Sequence, residues 1–339
     1  MFIVRGKAAL VLAPMDGVTD ALMRELLSKR MPFSYCVTEF IRISGVVPSA
    51  KTFFNDVPEL LNGAVTTTGT PVQVQLLGGD ADRLAESAVR AVSVGAKGID
   101  LNFGCPAPTV NRHDGGATLL KFPERVEQIV AAVRSSVPAE VPVSAKLRLG
   151  WDDPRAIHIN AERAARGGAS WITIHGRTKM QGYTPPAYWE PIGEVRRNLD
   201  IPVVANGEIW SVEDLRRCQE QSGCEHFMIG RGALAEPGLV TELAKALEIT
   251  TTSEHVALCR GDATQWLPRI LELIALSHGA GESERRTLSR IKQWLNYARH
   301  KGMVSWFDSI KRLESVDLVI NHLTVFAHAE EKDSVRRAA

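Results

Sequence analysis

GIDLNFGC, residues 98–105, alternates apolar Ile99, Leu101 and Phe103 with polar Asp100 and Asn102, and after Gly104 ends on a thiol followed by Pro106. A short apolar run bounded by turn signals reads as a strand buried on both faces. A polar tip on such a strand is costly to bury unless something at its end satisfies it. Seven other stretches have the same build: AALVLAPM (8–15), FSYCVTEF (33–40), PVQVQLLG (71–78), VPVSAKLRLG (141–150), WITIHGR (171–177), IPVVANGE (201–208) and HFMIGRG (226–232). Helical patterns separate most of them. In PERVEQIVAAVRSSV (123–137), Val126, Ile129, Val130 and Val133 fall at helical spacing behind an opening proline. Eight buried strands alternating with helices predict an α/β fold, a (β/α)8 TIM barrel over residues 1–250. An open doubly wound sheet also alternates, usually with fewer strands. The segment 41–70 is irregular and reads as holding a lid-like loop.

The pattern changes after residue 250. Residues 255–279, 284–302 and 305–329 read as three helices with no strand signal, a small C-terminal bundle over 251–330. Residues 331–339 read as a flexible tail.

Composition narrows the class. The 339 residues are 45% hydrophobic and 23% charged, with net charge +1, so nucleic-acid binding is not announced by the whole chain. The five cysteines, at 36, 105, 218, 224 and 259, form no C-x-x-C pair and no zinc spacing. Reduced thiols in a cytosol-like compartment follow. No run approaches the roughly 20 apolar residues that span a bilayer, and the N-terminus has no signal-peptide pattern. The expectation is a cytoplasmic, monomeric protein with no membrane partner and no metal.

In a barrel, chemistry sits at the C-terminal ends of the strands. In order, those ends carry Ala13, Pro14 and Met15; Gln75; Asn102 and Cys105; Lys146 and Arg148; His175 and Arg177; Asn206, Gly207 and Glu208; and Gly230, Arg231 and Gly232. The loops after strands seven and eight commonly build a phosphate site, and ANGEI and IGRGAL offer flexible glycines, backbone N–H groups and an arginine. Lys146 either snorkels to the rim or faces an anionic cofactor group, as a reduced flavin would present. Gln75 suits a planar heterocycle, or is a satisfied core amide. His175 has no second ligand at metal spacing and reads as a hydrogen-bond donor. Burial as a small hydrophobe is the ordinary fate of a free cysteine and suits Cys36, Cys218, Cys224 and Cys259. It suits Cys105 poorly. A thiol at the mouth could be a nucleophile with a lowered pKa or a general acid that stays protonated, and the residues alone leave both open.

The motifs APMDGVTD (13–20), VQLLG (74–78), DLNFGCP (100–106), KLRLGW (146–151), IHGRTKMQGY (174–183), VVANGEI (203–209) and MIGRGAL (228–234) resemble the tRNA-dihydrouridine synthase family. RIKQWLNYAR (290–299) and RLGWD (148–152) look most like its bacterial C subfamily, which acts on U16 of the tRNA D-loop. The resemblance implies FMN in the barrel mouth, reduction by NADPH, hydride transfer to C6 of uracil and protonation of C5 by a cysteine, here Cys105. It implies that Ala13, Pro14 and Met15 pack on the flavin and that Gln75 and Lys146 meet its ring edge. His175 would meet its phosphate or ring, and Asn206, Gly207, Glu208, Gly230 and Arg231 its phosphate tail. Asn102 and Tyr183 would face the uridine, with Arg177 and Lys179 nearby. Gly104 and Pro106 would fix the strand exit that aims the thiol. NADH stays open as donor, since no G-x-G-x-x-G site for a second nucleotide is found. One departure is the run APTVNRHDGGATLL after the cysteine, where His113-Asp114 is less basic than the family pattern and puts tRNA contacts by this loop in question.

Between Arg285 and Arg312 eight basic residues stand against Asp308 alone. A basic cluster in an otherwise neutral chain is what phosphate binding requires, although such residues are often only a solvated face. Arg290, Lys292, Tyr297, Arg299 and Arg312 are the candidate tRNA contacts there, with Arg42 at the end of strand two. Two rival readings remain: an FMN-dependent oxidoreductase of a free pyrimidine, like dihydroorotate dehydrogenase, and a catalytically silent tRNA-binding protein. The first would not need the basic helices. The second would not need Cys105 or Lys146.

Overall fold

Seven of the eight expected strands contain a real one, shorter than expected, and the second is shifted, running two residues past its expected end to Arg42. The computed structural model describes residues 2–236, 238–250, 263–300, 302, 304 and 306–338. Its strands are β1 (Ala9–Leu12), β2 (Tyr35–Arg42), β3 (Val72–Leu77), β4 (Ile99–Asn102), β5 (Val143–Arg148), β6 (Ile172–His175), β7 (Val203–Asn206) and β8 (His226–Ile229). They pair in chain order, all parallel, and β8 returns to β1, so the sheet closes. Parallel neighbours need a crossover between them, and helices over the sheet bury its outer face. Those helices begin where the chain offers caps: Asp20, Asp80 and Ser211 each accept a bond from an N–H of the first turn, worth about 1 kcal/mol apiece. Val126, Ile129, Val130 and Val133 are buried as their spacing requires.

The two ends of the barrel differ. Phe2, Tyr35 and Trp171 cluster at the N-terminal end, with ring centroids 5.1–6.1 Å apart, and share an apolar cluster with Val11, Val37 and Val204. Polar side chains gather toward the other end. Across the strands Gln75 stands beside Asp100, Asp100 beside Ser144, Asn102 beside Lys146, Arg148 beside His175 and His175 beside Asn206.

The segment 41–70, expected to hold a lid-like loop, is largely built of packed elements. It forms the helix Ala50–Asp56, the 3-10 turn Pro58–Asn62 and a bridge between Val65 and Pro71. Phe53 and Val57 are fully buried, and the fully buried Arg24 makes two 2.8 Å bonds to the Glu59 carboxylate. The apolar side chains at 53, 57 and 60 were the available signal. Glu59→Ala should lower the melting temperature markedly, because an uncompensated buried guanidinium costs about 3–5 kcal/mol. An unchanged melting temperature would show the pair to be dispensable.

The C-terminal region contains the helices Ala263–Gly279, Glu284–His300, Phe307–Ile310 and Val316–Ala338. The expected helical stretch 255–262, with Cys259, lies outside the described residues, as does Lys301. The third expected helix is split: the Ser315 hydroxyl accepts from the Leu318 N–H and Glu284 from the Val316 N–H, which start a new helix. That helix continues through Ala338, past the point where a flexible tail was expected. The bundle docks on the barrel through Trp294, whose indole donates to the Leu234 carbonyl at 3.0 Å and packs edge-on against Trp266. Lys29 and Arg30 pair with Glu272. No described helix is long and apolar enough to cross a membrane.

Candidate active site

The C-terminal strand ends frame a cavity of about 620 Å³, the size of a small-molecule or cofactor site. Its walls include Ala13, Pro14 and Met15 after β1, Asn102 and Cys105 from β4, and Lys146 and Arg148 from β5. His175 closes β6, Asn206, Gly207 and Glu208 follow β7, and Gly230 and Arg231 follow β8. Tyr183 and Trp210 come from loops, and Tyr297 comes from the bundle.

Cys105 leaves the ladder and is held by side chains instead. Its N–H and that of Gly104 both donate to Asn102 Oδ1 at 2.9 Å. Its carbonyl accepts from Asn111 Nδ2 at 3.2 Å and the Ala117 N–H at 3.1 Å. Arg148 Nε donates to the Gly104 carbonyl at 2.8 Å. Gly116, at φ +61°, lies so close that a Cβ there would come within 2.9 Å of the Cys105 carbonyl oxygen. Gly104 itself has room for a Cβ at ordinary contact distance and no positive φ. The strand exit is therefore fixed by Asn102, Asn111, Arg148 and Gly116 rather than by Gly104. Burial pushes the Cys105 thiol above its ordinary pKa, outweighing the nearby cations Arg148 and Arg42. A thiol so placed stays protonated at neutral pH, which suits a proton donor and not a thiolate nucleophile.

Asp114, the unexpected acid in the following loop, binds Arg125 through both oxygens at 2.8 and 2.6 Å, and Arg125 also reaches the Gly79 carbonyl. The acid ties the loop to the barrel's outer helices.

Charge is concentrated below and beside the thiol. Burial lowers the Lys146 ammonium to about 8, with Arg148 adding to the shift and Asp100 opposing it. Burial raises Asp100 to about 6 against bonds from Ser144 and Gln75. Lys146 Nζ donates to Asn206 Oδ1 at 3.0 Å, and Asn206 Nδ2 donates to the Met228 carbonyl. His175 is held well below the usual histidine range by burial and by Arg148, Lys146, Arg177 and Arg231, so it is a neutral imidazole. Its Nδ1 is buried with no hydrogen-bond partner among the described residues.

Several expected contacts are placed elsewhere. Gln75 is fully buried, outside the cavity wall, with its amide bonded to Asp100 and Asn102. Glu208 holds two arginines: Oε1 lies 2.9 Å from Arg177 and 3.0 Å from Arg231. A carboxylate in that position orients cations and does not itself bind phosphate. Arg177 is fully buried and cannot meet a macromolecule. Arg290 is also buried, pairing with Asp20 at 2.5 Å and Glu282 at 2.9 Å, and so joins the bundle to the barrel. Arg299 lies over Phe307 and 3.8 Å from Asp308. Lys179 and Lys121 sit 4.3 and 3.8 Å from the Trp151 ring. Arg42 and Arg312 are exposed and Lys292 half-exposed.

Arg148 and Trp210 are in the wall without having been assigned a role from sequence. Arg148 lies two residues after Lys146, hence on the same strand face, and that spacing was the available signal. Tyr183, 55% exposed, stands between Arg148 and Arg231 at 5.3 and 5.0 Å from its ring centroid. Trp210 covers the other side of Arg231 at 5.3 Å. Cys36, Cys218 and Cys224 are buried, as small hydrophobes should be. Among the described residues no group of three or more His, Cys, Asp or Glu is placed to hold a metal ion.

The chain is 44% identical over 287 residues to the tRNA-dihydrouridine(16) synthase of Shewanella oneidensis, covering 85% of this chain and 87% of that one. It is 41% identical over 324 residues to the enzyme of the same name from Neisseria meningitidis serogroup A, covering 95% and 96%. Histamine dehydrogenase from Rhizobium sp. 4-9 matches with a TM-score of 0.56 at 11% identity, over 79% of this chain and 49% of that one, a likeness of fold alone. Residues 11–325 match the family model described as Dihydrouridine synthase (Dus), and with these relatives they show that the chain belongs to the dihydrouridine synthase family.

Proposed function

We propose that this protein reduces uridine to 5,6-dihydrouridine at position 16 of the tRNA D-loop, using FMN as its flavin and NADPH as electron donor. The names and near-complete coverage of its relatives support the substrate. The observation that carries the chemistry is the half-buried Cys105 in the wall of a cofactor-sized cavity, where burial favours the protonated thiol. The reading places the reaction in the cytoplasm, with a monomeric enzyme that needs no metal.

The residues fit such a cofactor. A buried, unpartnered His175 Nδ1 needs a ligand atom. Glycines at the tips of β7 and β8 leave a cradle: Gly207, at φ +116°, holds a backbone that a side chain would strain, with Ala187 Cβ 3.3 Å from where its Cβ would stand, and a Cβ on Gly230 would fill the space up to Met15 Sδ at 3.4 Å. Ala13, Pro14 and Met15 would pack on the ring, Lys146 would neutralise its anionic edge, and Asn206, Gly207, Gly230 and Arg231 would take its phosphate. Glu208 would hold Arg231 in place. Bound there, the flavin would supply hydride to C6 of uracil.

Hydride at C6 leaves negative charge over C5, C4 and O4, which collapses when Cys105 delivers a proton to C5. Tyr183 and Asn102 would face the base, which must leave its stack to arrive. Residues 251–330 would bind the tRNA, with Lys292, Tyr297, Arg299 and Arg312, and with Arg42 and Lys179 from the barrel. Arg312→Ala should weaken tRNA binding and reduce its log–log salt slope by somewhat less than about one, with no change in melting temperature. Arg290→Ala should instead lower the melting temperature, because it leaves the Asp20 carboxylate without its cation and cuts the link from barrel to bundle, while Glu282 keeps Arg286. A salt slope unchanged in Arg312→Ala would remove that residue from the interface.

Mapping dihydrouridine at nucleotide resolution in unmodified tRNA, incubated with the protein and NADPH, tests the whole reading. Signal at position 16 is expected. Signal elsewhere in the D-loop would keep the reaction and change the site. No signal, from protein whose bound flavin NADPH reduces, would turn the reading toward a free pyrimidine.

A further inference from the structure

We propose that Asp100 is a positioning residue for Cys105, acting through the side-chain amides of Gln75 and Asn102; the proposal rests on Cys105 being the proton donor. Four side chains form one directed chain. The Ser144 hydroxyl donates to Asp100 Oδ1 at 2.5 Å, and Gln75 Nε2 donates to Asp100 Oδ2 at 2.6 Å. Asn102 Nδ2 donates to Gln75 Oε1 at 2.8 Å. Asn102 Oδ1 then accepts the N–H groups of Gly104 and Cys105 at 2.9 Å each.

The direction is set at the buried end. A side-chain amide has one donating and one accepting end, whereas a carboxylate only accepts. With its nitrogen drawn to Asp100, Gln75 must present oxygen to Asn102. With its nitrogen held there, Asn102 must present oxygen to the loop. Turning either amide over sets N–H against N–H and leaves buried groups unpaired, at about 1–3 kcal/mol for each. Gln73 closes the other side: its Nε2 donates to Ser144 Oγ at 3.0 Å, which leaves the hydroxyl proton for Asp100. The register explains why the chain exists, since Gln75, Asp100 and Ser144 are neighbours across three strands.

The result matters at Cys105 because the sheet stops there. The last ladder bond on this strand is from the Phe103 N–H to the Lys146 carbonyl. Beyond it the cysteine's N–H depends on Asn102, so among the groups that hold this exit it is the orientation of that amide that decides whether the Cys105 N–H is bound.

The test uses the full-length flavin-loaded protein and follows hydrogen exchange of the Gly104 and Cys105 amides. Gln75→Met keeps the side chain's length and removes the amide. It should speed exchange at these two amides about tenfold and slow the uridine-reduction step at least tenfold. Adding Asn102→Asp to Gln75→Met should return exchange to within about twofold of the parent, because both carboxylate oxygens accept and orientation no longer matters. Exchange unchanged in Gln75→Met would overturn the proposal. So would faster exchange that Asn102→Asp does not rescue, since that is loss of packing alone, or faster exchange with an unchanged uridine step. Failure of the underlying reading shows separately, as dihydrouridine formation that survives Cys105→Ala.

Discussion

Cys105→Ala is expected to bind flavin and accept electrons from NADPH, yet to form dihydrouridine about 100- to 10,000-fold more slowly. That range is what a positioned general acid contributes. The substitution removes one sulfur from a half-buried site whose backbone is held by Asn102, Asn111 and Ala117, so the fold survives it. Hydride addition then has no proton donor, and the anion at C5 reverts. The wild-type pH profile should carry the same signature. Burial holds the thiol above its usual range, so the acid form persists through neutrality and is lost only as pH rises past that raised value. The uridine step should be level from about pH 6 to 8 so far as Cys105 governs it. Rapid single-turnover kinetics on tRNA reads both effects. Wild-type turnover by Cys105→Ala would end the acid assignment.

Lys146→Met should slow reduction of the bound flavin by about 100- to 1000-fold, the range for removing one preorganised electrostatic group. The ammonium is the cation placed between Asn206 and the buried Asp100, and methionine fills its volume without its charge. The sign of the pH effect follows from the lowered value of about 8. Below it the lysine is charged and the rate is full; above it the proton leaves and the rate falls. The variant should lose that alkaline limb as well as the rate. Stopped-flow reduction by NADPH across pH 6–10 measures both. A slowed variant that keeps the alkaline limb would assign the titration to another group.

Much of the site was legible because strand tips are local features. A run such as VSAKLR shows where it is buried and where it turns polar, so Lys146, His175, Asn206 and Cys105 could be placed at one mouth before any contact was known. The lid-like loop was misread because 41–70 lacks a sustained period, and its order comes from Glu59 meeting Arg24 on an earlier helix. The basic helix was read too evenly. Its charges look alike in sequence, but Arg290 faces Asp20 and Glu282 while Arg312 faces solvent.

The sequence by itself determined the barrel, the strand ends that bear chemistry and the family motifs, because burial periodicity and turn residues act within a few positions of one another. Only the tertiary structure decided what each polar group there does. Glu208 became a clamp for Arg177 and Arg231, Gln75 a link between Asp100 and Asn102, and Arg290 a joint. A hydrogen bond or ion pair depends on which partner folding brings within about 3 Å, and in each of these cases the partner comes from another strand, loop or helix.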